Sequence, residues 1–454
     1  MVPVATVRGG MPVRGIYPHT ICSARGQGVL RVQREVNRPD AAEIEAAADR
    51  MFGVFKPTPI HLSRRLSDLT GLDVWLKRED MQAVRSYKGR GAFNVIAQLP
   101  LEARARGVTC ASAGNHAQGV AFACAGEAVP ARVFLPRTTP RQKRERIATL
   151  GGALVDIVIV GDTYDEAASA SASYARQSGA TPVHPFDDPR TIAGQGTVVH
   201  ELIGQFDVQV GRRPDAIIVP VGGGGLIAGT LAWLAERAPE VRVIGAEPSG
   251  GASMAAALSA GRPVELDTLD SFVDGAAVRQ VGEWTFDIVH RAAPSMLSVP
   301  EGLICAEMLD LYQVDGVIAE PAGALASAGL RLGAGLARGQ TVVCVVSGGN
   351  NDVNRYAEVV ERALIHKGLK HYFIVEFPQE PGALRRFLDE VLGPNDDITL
   401  FEYVKRSNRE TGPALVGIEL QFREDYEPLL KRMSGSFLRV EPVPPESSLF
   451  RFVV

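Results

Sequence analysis

Lys88 stands in Ser86-Tyr87-Lys88-Gly89-Arg90-Gly91-Ala92, beside an aromatic ring and between small residues, where an apolar period (Ala92, Phe93, Val95, Ile96, Leu99) opens a helix. An ammonium is a strongly hydrated point charge, so a crowded and half-apolar setting calls for a use. A Schiff base is one such use, because the amine condenses with a carbonyl and gives up its free ammonium character. Taken alone, the stretch fits a surface lysine at a helix start better. The chemistry therefore stands or falls on whether other parts of such a site are present.

Four other stretches bear on it. In Val219-Pro220-Val221-Gly222-Gly223-Gly224-Gly225-Leu226 a strand runs into glycines and then a helix. Without β-carbons the backbone can turn several N–H groups onto one phosphate at the positive end of a helix. No Lys-Ser/Thr pair follows, which excludes a nucleotide P-loop. A dinucleotide reading survives: Gly223, Gly225 and Ala228 satisfy G-x-G-x-x-A, and Glu247 ends the next strand about 20 residues on. A mere tight turn is the plainer alternative. Ala111-Ser112-Ala113-Gly114-Asn115-His116-Ala117-Gln118-Gly119 follows a strand and opens a helix, a cradle suited to a carboxylate. Asn115 would also serve as a helix cap, and His116 as a structural donor rather than a base. Ser347-Gly348-Gly349-Asn350-Asn351 ends the strand Val342–Val346, at the edge where ligands bind in parallel sheets. Capping is again the alternative, and the flanking glycines of a nucleophile elbow are missing. Last, Phe377-Pro378-Gln379-Glu380-Pro381-Gly382-Ala383-Leu384 would let a small ligand or another chain approach a strand–helix junction.

The elements that must position these residues repeat a unit of strand, glycine-rich turn and amphipathic helix. Asp40 to Gly53 reads as a helix, Pro57 and Pro59 force an extended segment, and Asp73–Lys77 reads as a strand. Further strands are expected at Val108–Cys110, Arg132–Leu135, Leu154–Val160, Thr181–His184, Ala216–Val221, Val241–Ala246, Gly316–Ala319 and Val342–Val346. Strands alternating with helices predict doubly wound parallel α/β sheets. After Tyr356 a helix leads to a polar linker, 366–370, and the order becomes βαββαβ, a ferredoxin-like unit expected over 371–454. Its strands are Tyr372–Phe377, Ile398–Val404, Ala414–Phe422 and Phe437–Val440, with a turn at Ser407–Gly412.

At 454 residues the chain is long enough for two or three domains. Its 46% apolar and 22% charged residues describe a globular protein, and a net charge of −4 without runs of one sign argues against a nucleic-acid surface. Cys22, Cys110, Cys124, Cys305 and Cys344 are scattered and odd in number, as reduced cytosolic thiols are. Residues 1–40 read as a disordered tail; the six arginines among the first 38 resemble a transit peptide only weakly. The uncharged stretch Ala216–Ala235 has Pro220 and five glycines, which suits strand, turn and helix rather than a membrane span.

Taken together, the motifs resemble the tryptophan-synthase-β-like (fold type II) pyridoxal-phosphate enzymes, and within them the biosynthetic threonine dehydratases. Ser86–Ala92 resembles the family's lysine motif, with Tyr87 where phenylalanine is usual. Ser112-Ala113-Gly114-Asn115-His116, Gly222–Leu226, Glu320-Pro321-Ala322-Gly323-Ala324 and Ser347-Gly348-Gly349-Asn350 occur in the family's order. The likeness covers about 41–365 and implies a smaller subdomain, about 81–181, inserted in a larger one. The C-terminal part is similar to the single ACT-like regulatory domain of the shorter threonine dehydratases, notably at Gly393-Pro394-Asn395-Asp396-Asp397-Ile398-Thr399.

The resemblance implies that Lys88 carries pyridoxal 5′-phosphate as an imine and that Gly222, Gly223, Gly224, Gly225 and Leu226 bind its phosphate. It places Asn115 at the phenolic oxygen, Ser347 at the pyridine nitrogen, and the substrate carboxylate on Ser112, Ala113, Gly114, Asn115 and His116. A serine cannot enforce ring protonation as a carboxylate does, which favours prompt loss of a β-substituent. The implied reaction takes L-threonine to 2-oxobutanoate and ammonia, the first step of isoleucine biosynthesis. Isoleucine would inhibit through the C-terminal domain, valine would oppose it, and the enzyme would be a cytoplasmic homotetramer. A cation assists some relatives near Glu247; here Gly251 and Ser253 stand where acidic residues would be convincing, so no metal is assigned. The rivals are a serine dehydratase or racemase, a β-replacement synthase (His116 counts against it), an NAD-dependent oxidoreductase using the 222–228 loop, and a non-catalytic amino-acid sensor.

Overall fold

A computed structural model describes residues 38–403, 410–444, 447, 449 and 450. Most of the expected tail, 1–37, lies outside the described residues, as does 404–409 at the start of the expected turn. At its beginning the Asp40 side chain accepts from the Glu43 N–H, 2.8 Å, and caps the helix Ala41–Met51, whose Ile44, Ala47 and Met51 turn inward.

The strands up to the linker are β1 (Ile60–Leu62), β2 (Asp73–Arg78), β3 (Val108–Ala111), β4 (Ala131–Leu135), β5 (Val155–Ile159), β6 (Thr181–Pro182), β7 (Ala216–Pro220), β8 (Arg242–Pro248), β9 (Ser295–Val299) and β10 (Thr341–Val346). They form two sheets. One has the order β1-β2-β10-β7-β8-β9, parallel except for the β1–β2 pair. The other, β5-β4-β3-β6, is wholly parallel and is contributed by chain lying between β2 and β7. Every residue of β7 and β10 is buried, as strands covered by helices on both faces must be. Ala216–Ala235 divides into β7, a glycine turn and the helix Gly225–Arg237. No described helix is long and apolar enough to cross a membrane.

Two departures from the sequence reading concern the large sheet. Gly316–Ala319 is not a strand: Gly316 has a φ of 66°, and the segment continues to Glu320, whose N–H donates to the Gly348 carbonyl, 3.1 Å. Its β-branched residues thus cross the end of the sheet instead of joining it. Conversely, β9 pairs along β8 at the edge, although Ser-Met-Leu-Ser-Val has neither a β-branched run nor a clean alternation.

The C-terminal unit has β11 (Lys370–Pro378), the helix Ala383–Glu390, β12 (Asp397–Tyr403), β13 (Thr411–Glu419), the helix Tyr426–Gly435 and β14 (Arg439–Pro442). The order β12-β13-β11-β14 with antiparallel pairing throughout is the ferredoxin-like arrangement. Its own core gathers Phe373, Phe377, Phe387, Val416, Ile418 and Leu429. Only residues 367–369 separate the helix Tyr356–His366 from β11. Glu361 on that helix accepts from Lys370 and from the Tyr372 hydroxyl, which ties the two together.

Candidate active site

The helix Lys88–Ala97 starts at Lys88 itself. Its entry is held by the chain that leaves β10: the Tyr87 N–H donates to the Ser347 carbonyl, 3.1 Å, Ser86 bridges Gly348, and the Gly349 N–H donates to the Arg85 carbonyl, 2.9 Å. Arg85 takes a left-handed φ of 54° to make this approach, a strained state for a side chain with a β-carbon. Two residues past Lys88, the buried Arg90 donates twice to Glu79, both at 2.8 Å, and once to Glu201, 2.9 Å, which also accepts from the buried Lys77. Burial alone would push the Glu79 carboxyl up, but Arg90 prevails and holds it below the usual carboxylate range. Removing one partner would leave an uncompensated buried charge, about 3–5 kcal/mol, so this cluster anchors the first turn that carries Lys88. The Lys88 amine itself donates to the Pro185 carbonyl, 3.3 Å.

The glycine run follows β7. Gly224 has a φ of 92° and precedes the helix Gly225–Arg237. A β-carbon on Gly222 would sit 2.9 Å from the Ala276 Cα; one on Gly223 would overlap the Phe186 ring, and one on Gly225 the Gln195 amide oxygen. The Thr285 hydroxyl donates to the Gly223 carbonyl, 2.7 Å, and fixes the loop from behind. The result is a backbone cradle at a helix N-terminus that only glycine can form, which fits a phosphate. Glu247 does not reach toward it. The carboxylate is buried and accepts from the Met254 and Ala255 N–H groups, 2.6 and 2.9 Å, so it caps the helix Ser253–Ala260, and the dinucleotide reading fails. Among the described residues no three His, Cys, Asp or Glu gather as a metal site would.

Asn115 begins the helix Asn115–Glu127 but does not cap it. Its carboxamide donates to Glu320, 2.6 Å, and accepts from the Asn350 side chain, 2.7 Å. The Asn350 N–H donates to the other Glu320 oxygen, 3.1 Å. Burial, aided by Asp274, raises the Glu320 carboxyl to about 7. Ser347 caps no helix either; it is buried, and its hydroxyl donates to the Ala322 carbonyl, 3.1 Å. Tyr87, Lys88, Asn115, Gly222, Glu320 and Ser347 line one pocket, so the structure brings together residues of five distant motifs, whereas the stretch 377–384 lies in the C-terminal unit. A wider cavity of about 530 Å³ reaches Ala113, Thr138 and Asp274. The set suits pyridoxal phosphate: an amine, a glycine cradle, an amide and an uncharged hydroxyl in a single pocket.

Ser112, Ala113, Gly114 and Asn115 are all half-buried, and the Gly114 N–H donates to the Ser112 hydroxyl, 3.2 Å. The His116 side chain is the structural donor that the sequence favours. Its ring is buried, Nε2 donates to the Val183 carbonyl, 2.7 Å, and burial lowers its pKa to about 3. It is a neutral brace, and only its backbone N–H lies in the first turn offered to a ligand. The sequence reading missed how Glu320 and Asn350 act. Both stand inside motifs it quoted, but nothing in their spacing says that they meet at Asn115.

Residues 51–348 match the family model described as pyridoxal-phosphate dependent enzyme, and residues 361–453 that of the C-terminal regulatory domain of threonine dehydratase. The chain belongs to the pyridoxal-phosphate dependent enzymes. Within that family it falls among the biosynthetic threonine dehydratases. It is 57% identical over 415 residues to the L-threonine dehydratase biosynthetic IlvA of Mycobacterium tuberculosis, covering 91% of this chain and 96% of that one. The protein of the same name from Corynebacterium glutamicum is 51% identical over 432 residues, 94% and 98% of the two chains. Among solved structures, the processed form of threonine deaminase isoform 2 from Solanum lycopersicum matches with a TM-score of 0.66 at 37% identity, over 72% of this chain and 95% of that one. Maize serine racemase matches with a TM-score of 0.66 at 29% identity, over 72% and 98%.

Proposed function

We propose that this chain deaminates L-threonine to 2-oxobutanoate and ammonia, with Lys88 as the cofactor-bearing residue and base. The observation that carries the reading is the meeting of Lys88, Asn115, Gly222 and Ser347 in one pocket from four distant stretches. Pyridoxal phosphate, when bound, supplies the carbonyl carbon with which amines condense and the electron sink that makes an amino acid's α-hydrogen acidic. The Lys88 amine, when not bonded to the cofactor, would be the base that takes the α-proton of the bound amino acid. Glu320 and Asn350 each engage one end of the Asn115 carboxamide, so its remaining N–H has a set direction and would be the donor offered to the phenolic oxygen. Ser347 would offer the pyridine nitrogen a neutral hydroxyl, and Gly222 to Leu226 would hold the phosphate through backbone N–H groups. The first turn of the helix Asn115–Glu127, with Ser112 to Gly114, takes the substrate carboxylate.

The same reading assigns 41–365 to catalysis and 371–454 to regulation, with isoleucine as inhibitor, valine as its antagonist, a homotetramer as the assembly and the cytoplasm as the location. Threonine differs from serine by one methyl group, worth only about 1–3 kcal/mol, so both are assayed. The test is to load the purified protein with pyridoxal phosphate, record its visible spectrum and measure 2-oxobutanoate from threonine. A band from lysine-bound cofactor and steady product are expected, and Lys88→Ala should lose the band and about 10²–10⁴-fold or more of the turnover. Faster turnover of serine than threonine would move the assignment to the serine enzymes; full activity in the Lys88→Ala protein would end it.

A further inference from the structure

The Pro185 carbonyl that receives the Lys88 amine has a second donor. Gln195, on the helix Pro189–Gln209 and fully buried, donates to it from Nε2, 2.9 Å. The amide orientation is settled by that carbonyl, because the flipped amide would set oxygen against oxygen. Its Oε1 is buried without a hydrogen-bond partner and lies against Gly225, while its Cγ would be 3.0 Å from a β-carbon on Gly91. Gln195 therefore touches the lysine helix, the glycine cradle and the carbonyl between them. The surrounding segment has no freedom to make up for its loss: His116 holds the Val183 carbonyl, His184 Nδ1 accepts from the Phe186 and Asp187 N–H groups at 3.3 and 2.7 Å, and Asp188 caps the next helix.

We propose that Gln195 is a positioning residue for the reacting amine: through the Pro185 carbonyl it sets where Lys88 Nζ rests whenever that amine is not bonded to the cofactor. The inference rests on Lys88 being the reacting amine. A carbonyl shared between two donors gives the amine an address without binding its protonated form as strongly as an unshared one would. The titratable groups around Lys88 are Tyr87 at the cap of its helix, His116 on the helix Asn115–Glu127, His184 with Asp187 and Asp188 on the braced segment, and Glu320 across the pocket. Gln195 is uncharged, so an isosteric apolar replacement alters none of these charges and changes only the sharing.

The test uses the full-length protein with its cofactor reversibly removed. Lys88 is trace-labelled with acetic anhydride across a pH series, and its peptide is quantified by mass spectrometry. In Gln195→Met the labelling midpoint should rise by about half a pH unit, which lowers the neutral fraction about threefold on the acid side. The acid limb of kcat in the loaded enzyme should move the same way, with KM little changed. Gln195→Glu should move both further, because a carboxylate adds an acceptor for the ammonium; it also carries the test should the methionine variant not fold. An unchanged or lowered midpoint in the folded variants, even with a fallen Tm, overturns the proposal. If the unmodified protein shows no lysine-bound cofactor, the assignment of Lys88 has failed instead.

Discussion

Asn115, Glu320 and Asn350 show how one carboxyl can direct a neutral amide. If Asn115 serves the cofactor as proposed, its free N–H must be aimed, and Glu320 fixes the carboxamide while also accepting the Asn350 N–H. Glutamine at 320 could satisfy only one of those donors, since its amide nitrogen would face the other. Glu320→Gln is therefore expected to lower kcat about tenfold, the worth of one hydrogen bond. The same residue carries a pH signature. Its folded pKa of about 7 lies above the ordinary 4.5, burial being the main cause. Between those values the native state holds a proton that the unfolded chain has released, so its contribution to stability is complete below 4.5 and is lost as pH rises through about 7. From about pH 5 to about pH 8 the Tm of Glu320→Gln should fall less than that of the unmodified protein. Parallel Tm profiles would show that the carboxyl does not titrate there.

At the scale of the element, the glycine run between β7 and the helix Gly225–Arg237 is the part most tightly specified by its neighbours. Gly224 combines a φ of 92° with a β-carbon position already filled by Met254 and Thr285. Gly224→Ala should weaken pyridoxal phosphate binding about 10–100-fold in equilibrium dialysis, the equivalent of about 1–3 kcal/mol of backbone strain; unchanged affinity would mean that the cradle tolerates a side chain. This element was legible because strand, glycines and helix are contiguous in the sequence. So was the Lys88 helix, whose apolar period begins where the motif ends. Less legible were elements defined by what they meet. The β-branched content of Gly316–Ala319 imitates a strand, but the segment is drawn across the sheet end by Glu320 and Gly348. The role of Asn115 was ambiguous until Gly114 proved to be the cap position. His116 reads as a structural donor from sequence, but its acceptor, the Val183 carbonyl, lies 67 residues away and no local pattern names it. Local periodicity does not encode which side chains converge from distant strands.

For the whole molecule, the helix Tyr356–His366 is the covalent route from the ferredoxin-like unit to the rest of the chain, and Arg362 on it, with Arg355 just before it, grips Phe272 at the rim of the wider cavity. Arg355 and Arg362 both stand over the Phe272 ring, at 4.7 and 4.4 Å from its centroid, and Arg355 also donates to the Phe272 carbonyl, 2.6 Å. Arg362 further approaches Asp270, 3.6 Å. The gripped segment continues through Asp274, which pairs with Lys143 at 2.7 Å, to Ala276, which closes on Gly222. A shift of the helix by the C-terminal unit would thus reach both the cleft mouth and the glycine cradle through packed contacts. Coupling of this kind requires the effector to favour one arrangement, and its usual size, about 1–3 kcal/mol, corresponds to about 5–150-fold in affinity. Arg362→Ala loosens the grip, leaving only Arg355 on Phe272, without touching the C-terminal unit. It is expected to leave isoleucine binding measurable by calorimetry while reducing the maximal inhibition of threonine turnover. Inhibition as deep as in the unmodified enzyme would show that the signal travels by another path, and isoleucine failing to bind the unmodified enzyme would reject it as the effector.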